Sequence, residues 1–328
     1  MKTGSVLVTG ANGFLGKIIL EHLMDAGFTI CATDIGDKPA IQGVLYQKAD
    51  ITRPEELKDT VGSVTTVIHA AGLAHIFKDI HKNHELFRQI NEMGAANVAL
   101  AAAEKGARHF ILASSVSVYG PFTHGLYAED TPCQPVGPYA TSKCNAEQRL
   151  KEIAIKTGMA LTILRLATLY GEGDPGNVGR LIRTMDRGWF VWIGDGSNRK
   201  SLLYKGDAAR ACVTMASSPA TGTQIYNVSA PPCTMREIVD GIADALGKRP
   251  LPLRMPGSLA LALSRNLSKL PSRRLAGIHQ TVQKWMVEDV YDTSLFERDY
   301  GFCSQIGIIE GLRREVEWYR NCRKSLPS

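Results

Sequence analysis

The chain reads as an α/β protein: a doubly wound parallel sheet followed by a smaller, mixed C-terminal region. Three observations predict this. Short β-branched or apolar runs alternate with longer amphipathic stretches through the first half. A glycine-rich turn follows the first run directly and opens the first helix. After Gly171 the alternation loosens, as glycine, proline and asparagine crowd residues 171–179 and 194–200.

The first strand is expected at 5–9 and passes through the glycine turn into a helix over 15–26, which Gly27 stops. A second strand at 29–33 ends on Asp34, and a third follows at 44–48. A short helix at 54–60 leads to a fourth strand at 65–69. A long helix over 84–105, closed by Gly106, leads to a fifth strand at 109–113. The helix over 139–156, with Pro138 before it and Gly158 after it, leads to a sixth at 160–164. A domain change is placed near residue 170, giving regions 1–170 and 171–328. Residues 201–204 and a helix over 206–217 are expected to return, so that about 200–217 packs on the first region.

Composition narrows the class. The 328 residues would divide into about two domains at the usual domain size unless one large α/β unit takes most of the chain. With 44% hydrophobic and 21% charged residues, extended disorder and fibrous architectures are excluded. The net charge of +6 comes from scattered residues of both signs and is weak ground for a nucleic-acid partner. Seven cysteines (Cys31, Cys133, Cys144, Cys212, Cys233, Cys303 and Cys322) include no Cys-x-x-Cys pair, which favours a reducing, cytoplasmic compartment. No targeting segment is expected at the N-terminus, where glycine interrupts the apolar run early. The apolar run Leu259 to Leu263 is far too short to span a membrane; a core helix is the expectation, with a dimer contact or a helix lying on a membrane surface as the alternatives.

The clearest chemical signal is Thr9-Gly10-Ala11-Asn12-Gly13-Phe14-Leu15-Gly16. Glycines let a backbone turn tightly against a pyrophosphate, and the helix start presents unpaired N–H groups to it. Asp34 then stands where a carboxylate accepts hydrogen bonds from an adenosine ribose, and its charge disfavours the 2′-phosphate of NADP; Lys38 softens that preference without reversing it. Tyr139-Ala140-Thr141-Ser142-Lys143 places a phenol and an ammonium on one helix face, where the cation is expected to lower the phenol pKa by roughly 1–3 units. Upstream, Ser114-Ser115-Val116-Ser117 closes the fifth strand and brings hydroxyls to the same end of the sheet. His69, His75, His81 and His84 cluster, but no cysteine or carboxylate completes a metal set, and no metal is expected.

The Gly-x-x-Gly-x-x-Gly spacing resembles that of the short-chain dehydrogenase/reductase superfamily. Together with Tyr-x-x-x-Lys, the set is similar to the extended branch, the NAD-dependent epimerase/dehydratase family, from about residue 5 to about 320. The resemblance implies a Rossmann-like domain binding NAD through Gly10, Asn12, Gly13, Phe14, Leu15, Gly16, Asp34, Asp50, Ile51, Ala70, Ala71, Gly72 and Asn91, with Tyr139 and Lys143 also against the cofactor. It implies that Ser115 hydrogen-bonds the reacting oxygen, Tyr139 acts as acid and base, and Lys143 holds the nicotinamide ribose. On the substrate side it implies Ser115, Ser117, Thr168, Asn177, Arg199 and Lys200, in a stretch beginning at Arg165 that grips a nucleotide diphosphate. Where the 4,6-dehydratases carry Thr-Asp-Glu this chain has Ser115-Val116-Ser117, which argues against dehydration.

The expected activity is therefore hydride transfer on a nucleotide-activated sugar, at C4, as an epimerase. The alternatives are an NAD(P)H-dependent 4-ketoreductase, a dehydrogenase of a steroid-like or other secondary alcohol, and, outside catalysis, an NAD-binding regulatory protein. The resemblance also implies a homodimer paired through the helices at 84–105 and 139–156.

Overall fold

The computed structural model describes residues 4–74, 80–120, 125–251, 253–268 and 278–324. Its centre is a sheet of seven strands: β1 (Ser5–Thr9), β2 (Thr29–Asp34), β3 (Leu45–Lys48), β4 (Thr66–His69), β5 (His109–Ser115), β6 (Ala160–Leu166) and, later in the chain, Thr223–Val228. The order across the sheet is Thr223–Val228, β6, β5, β4, β1, β2, β3, with every neighbouring pair parallel. The chain works outward from β1 to β3 and then crosses back to β4. That reversal leaves a crevice at the C-terminal ends of β1 and β4, the general ligand position in open α/β sheets.

Helices cover both faces, which explains why the strands read as nearly continuous apolar runs. Val6 and Val8 face α1 (Phe14–Asp25), while Leu7, between them, faces the opposite layer with Val67, Phe110 and Leu112. That second layer is built by α2 (Pro54–Thr60), α3 (Ile80–Phe87), α4 (Ala95–Glu104) and α5 (Pro138–Thr157). The expected helix over 84–105 is longer and is interrupted: Arg88–Gly94 forms a π-helical stretch between α3 and α4. A π-turn places an extra residue in the helix and re-aims its side chains. Here it carries Asn91, and Gly94 packs so closely on Ile51 that an added Cβ would lie 2.7 Å from Ile51 Cδ1.

The remaining elements build a smaller region and partly return to the sheet. They are β7 (Thr168–Tyr170), α6 (Asn177–Asp186), β8 (Trp192–Ile193), β9 (Arg199–Lys200), β10 (Leu202–Tyr204), α7 (Lys205–Ser217), β11 (the seventh sheet strand, Thr223–Val228), β12 (Cys233–Thr234), α8 (Met235–Leu246), β13 (Arg254–Met255), α9 (Gly257–Leu267), α10 (Ile278–Met286), α11 (Ser294–Tyr300) and α12 (Ile308–Lys324). α7 packs beside α1, and β11 extends the main sheet, so the return runs beyond residue 217. A separate core joins Leu181, Ile182 and Met185 of α6 with Ile238 and Ile242 of α8 and Leu312 and Val316 of α12. α8 starts with a full capping box, the Thr234 and Glu237 side chains each accepting from the other's backbone N–H. Among the described residues no helix is long and apolar enough to cross a membrane.

The run 259–263 does form a helix, α9, but not a core one. Only Ala260 and Ser264 are buried, while Leu259, Leu263 and Leu267 are exposed. The inward positions of α9 are occupied by its small residues, so the leucines fall on the outer side.

Candidate functional site

The site grows from the crevice. Gly10 turns the chain out of β1 at φ +70°, and an added Cβ there would lie 2.5 Å from Ala71 N. Gly16 has no such backbone demand, yet its Cβ would come within 2.0 Å of Gly10 O, so the first turn of α1 is pressed onto the loop. Gly13, Phe14 and Leu15 complete the turn, Gly13 N donating to Gly10 O at 2.9 Å.

Asn12 fastens this loop to β2. Its backbone N donates to Asp34 Oδ2 at 3.0 Å, and its side chain accepts from Ala40 N and donates to Lys38 O. Asp34 is thereby held at the loop, its other oxygen accepting from Ile35 N at 2.8 Å. Asp50, one of the residues expected against the cofactor, caps its own turn by accepting from Thr52 N and Thr52 Oγ1, while Ile51 is buried against the π-turn.

On the β4 side, Ala70 N donates to Thr9 O and Ala71 N to Thr9 Oγ1. His69 sits under this wall with Nδ1 2.8 Å from Thr9 Oγ1; burial, aided by the Lys143 charge, pushes its pKa down to about 3 and keeps the imidazole neutral. At Gly72 an added Cβ would stand 3.1 Å from Asn91 Oδ1 and 3.3 Å from Lys143 Nζ, so glycine keeps that face open. Asn91 accepts from Leu73 N and donates to Leu73 O and to Ser142 Oγ, and Ser142 in turn donates to Tyr139 O. The π-turn therefore locks the start of α5.

Ser115 meets Tyr139 at the start of α5, and Lys143 follows one turn further along the same helix. The Tyr139 hydroxyl hydrogen-bonds with the Ser115 side chain, while Ser115 Oγ also accepts from Ser117 N at 3.2 Å. Lys143 is buried, its Nζ donating to Ala113 O at 2.9 Å. The expected lowering of the phenol is overturned in this state: burial raises the Tyr139 pKa, Ser115 opposes that only in part, and the Lys143 charge does not enter. Lys143 is itself depressed to about 8 by burial, against the pull of Glu147. Ser117 Oγ is buried beside Ser115 without a partner among the described residues, an orphaned group at the position expected to meet substrate.

The expected phosphate-gripping residues behave differently. Arg165 lies 3% exposed behind the sheet, its Nη2 2.8 Å from Glu147 Oε2, and it also donates to Tyr119 OH and Cys133 Sγ. Ser114 completes this network by donating to Glu147. Arg165 is thus a structural cation, and its expected place in the substrate stretch is corrected. Lys200 is 6% exposed, with Nζ caged by Lys284 O, Val287 O and Asp289. Arg199 is exposed and paired with Glu288 at 3.3 Å, and Thr168 and Asn177 are half-buried at the start of β7 and of α6.

Two features escaped the sequence. Lys205, which begins α7, donates to Glu172 O, pairs with Glu172 Oε2 at 3.2 Å and lies 5.6 Å from the Phe14 ring centroid, joining the glycine loop to the segment after β7. The signal available was its place directly after a short strand, where helix starts carry function in such folds. Glu315 of α12 is 2% exposed, accepts from Gly171 N with Oε2 and has no partner on Oε1; burial, with Asp174 adding to it, raises its pKa to about 9. Of the histidine cluster, His75 and the side chain of His81 lie outside the described residues, and among those described no cluster of metal-ligating groups forms.

The sequence profile of the family described as "NAD dependent epimerase/dehydratase family" matches residues 6–229, two thirds of the chain. The chain belongs to that family. It is an enzyme, and NAD is the family's cofactor. The cradle fits it, because only glycine at 10 and 16 lets the loop turn this tightly against Ala71 and under the first turn of α1, Gly72 lets Lys143 come up beside the same wall, and Asp34 is fixed at the loop edge. The N-acetyl-alpha-D-glucosaminyl-diphospho-ditrans,octacis-undecaprenol 4-epimerase of Escherichia coli O157:H7 is 29% identical over 96% of this chain and 95% of its own. The 2-alkyl-3-oxoalkanoate reductase of Stenotrophomonas maltophilia (strain K279a) is 29% identical over 94% of this chain and 97% of its own. Among solved structures, MoeE5 in complex with UDP-glucose and NAD superposes with a TM-score of 0.78 at 25% identity, over 98% of this chain and all of that one.

Proposed function

We propose that this family member transfers hydride to and from C4 of a sugar carried on a diphosphate, and so epimerises it. The observation that supports this most is the hydroxyl chain Ser115–Tyr139 beside the buried Lys143, at the mouth of the glycine cradle. Bound NAD supplies the hydride acceptor and donor. Gly10, Gly13 and Gly16 would hold its pyrophosphate, Asp34 its adenosine ribose, and Lys143 its nicotinamide ribose. Ser115 and Ser117 hold the reacting hydroxyl. Tyr139 removes the hydroxyl proton and returns it, the general acid–base role of a phenol whose anion the Ser115 hydroxyl favours. Dehydration is not proposed, because serine, valine and serine occupy positions 115–117.

Support for a diphosphate-linked sugar comes from the UDP-glucose named with MoeE5 and the polyprenyl-diphosphate sugar named with the E. coli relative. A second reading, reduction of a ketone on an apolar substrate, is favoured by one observation: Lys200, one of the two cations expected to grip a diphosphate, is buried and spent on Asp289, which leaves only the exposed Arg199 of that pair. The reductase named above is in keeping with it.

Mass spectrometry of the denatured protein for retained NAD, followed by a screen of UDP-, GDP- and dTDP-sugars and a polyprenyl-diphosphate sugar without added cofactor, separates the two. Isomer formation with retained NAD supports the epimerase. Turnover only with added NADH or NADPH and a ketone replaces it with the reductase. The homodimer stays part of the proposal, supported by Leu100 of α4 and Ile155 of α5, both exposed on the helices expected to pair; a monomer by light scattering removes it.

A further inference from the structure

Positive charge is not spread evenly over this chain. From Ala245 to Val287 there are eight Lys or Arg and no Asp or Glu, leaving 30 basic residues against 32 acidic ones elsewhere, so this stretch alone accounts for the net charge of +6. Its described part also exposes apolar side chains. α9 packs on α10 through Ala260 and Ser264, Ser264 Oγ lying 2.9 Å from His279 Nδ1. Its outer side carries Leu259, Leu263 and Leu267 at four-residue steps, 48%, 41% and 37% exposed. Just before it, Leu251 and Leu253 are more than half exposed.

The same surface continues onto α6. Trp192 N donates to Leu253 O and Gly194 N to Met255 O, which stitches residues 253–255 beside the chain that leaves α6. A cleft of about 510 Å³ between them is lined by Arg187, Phe190, Arg249 and Leu251. Trp189, the most exposed tryptophan, stands there under the Arg187 guanidinium, 5.5 Å from its ring centroid. Arg249, Arg254 and Arg265 make no ion pair among the described residues.

We propose that this leucine-and-arginine surface, formed by α9, by Arg249, Leu251, Leu253 and Arg254, and by the end of α6, docks the enzyme on an anionic membrane surface. Aliphatic side chains reach the acyl boundary while unpaired guanidinium groups sit at the headgroup level, and an exposed tryptophan belongs at that interface. A second copy of the chain is a poorer occupant, since a two-fold interface would set this wholly basic stretch against itself. The surface lies at the far end of α6 from Asn177, about 14 Å along the helix axis. The inference does not depend on which substrate is turned over, and its test reads binding, not activity.

The full chain is sedimented with vesicles of phosphatidylcholine alone or mixed with phosphatidylglycerol. Binding is expected to the mixed vesicles only, and to weaken as salt rises from about 0.1 M to about 1 M and the Debye length falls from ~10 Å to ~3 Å. Leu259→Glu with Leu263→Glu is expected to lower partition by roughly tenfold or more, because each leucine still has about half its surface to bury. Arg254→Glu with Arg265→Glu, at exposed positions, tests the charge separately and serves if the leucine variant fails to fold. No binding to anionic vesicles, equal binding to neutral ones, or both variants binding as the parent overturns the proposal. A dimer that the leucine variant dissolves assigns the surface to a second copy instead.

Discussion

Replacing Lys143 with methionine should stabilise the cofactor-free protein at neutral pH while abolishing turnover. The ammonium is buried, and burial holds its pKa near 8 against an ordinary 10.5. A base whose folded pKa is depressed is bound more tightly by its proton in the unfolded chain. Stability therefore rises with pH between about 8 and 10.5, and below 8 the fold carries the whole cost. At 1.36 kcal/mol per pKa unit that cost is about 3 kcal/mol as an upper bound. Methionine matches the side chain in length and removes the charge, but it leaves Ala113 O without its 2.9 Å donor, a loss of roughly 1–3 kcal/mol. The net expectation is a gain of about 1 kcal/mol at pH 7, or a Tm higher by ~2 °C. Near pH 10 the parent no longer carries the cost, and the variant should be the less stable of the two. Thermal melts of both proteins at the two pH values, with NAD stripped, read this directly. A variant that melts lower at pH 7, or a difference that does not change with pH, would show that the contacts to Ala113 and Glu147 outweigh desolvation and would refute the reasoning.

Three further outcomes are expected. Tyr139→Phe should lower turnover by about 10²–10⁴ with NAD still retained, measured by single-turnover kinetics and mass spectrometry; unchanged turnover removes Tyr139 from the chemistry. Gly16→Ala should cost roughly 1–3 kcal/mol and weaken NAD binding, since its Cβ would sit 2.0 Å from Gly10 O with no backbone strain to share the blame, whereas Gly62→Ala, with nothing within 4 Å, should be nearly neutral in the same melts. Glu315→Gln should flatten the pH dependence of stability. With a folded pKa near 9 against 4.5, the stability tied to this carboxyl is full below pH 4.5 and is lost as pH rises towards 9, at up to about 1.4 kcal/mol per pH unit, so the variant should gain on the parent from pH 5 to 9.

The helix over 84–105 shows what local pattern reveals and what it does not. Its apolar spacing and the closing Gly106 mark a helix, yet nothing local marks the π-turn at Arg88–Gly94, which depends on Asn91 finding Leu73 and Ser142 across the crevice. Likewise the Tyr-x-x-x-Lys spacing tells that Tyr139 and Lys143 share a face, but not that burial there raises the phenol. That shift depends on how much water reaches the pair, which is set by elements far away in sequence. Lys200 was legible as a cation near the substrate stretch, and Asp289, 89 residues on, turned it inward.

Short-range features were determined by the sequence alone. The alternation of strands and helices, the glycine turn after β1 and the shared face of Tyr139 and Lys143 follow from residues a few positions apart, where steric limits and periodicity act, and the family is legible from the order of such short motifs along the chain. Tertiary structure alone decided where side chains point when a long-range partner competes for them. It buried Arg165 on Glu147, left Glu315 with an unpaired oxygen, and turned the leucines of α9 outward because Ala260 and Ser264 were the residues small enough to meet α10. Charge pairing and close packing are settled by contacts between distant segments, and one-dimensional spacing does not encode them.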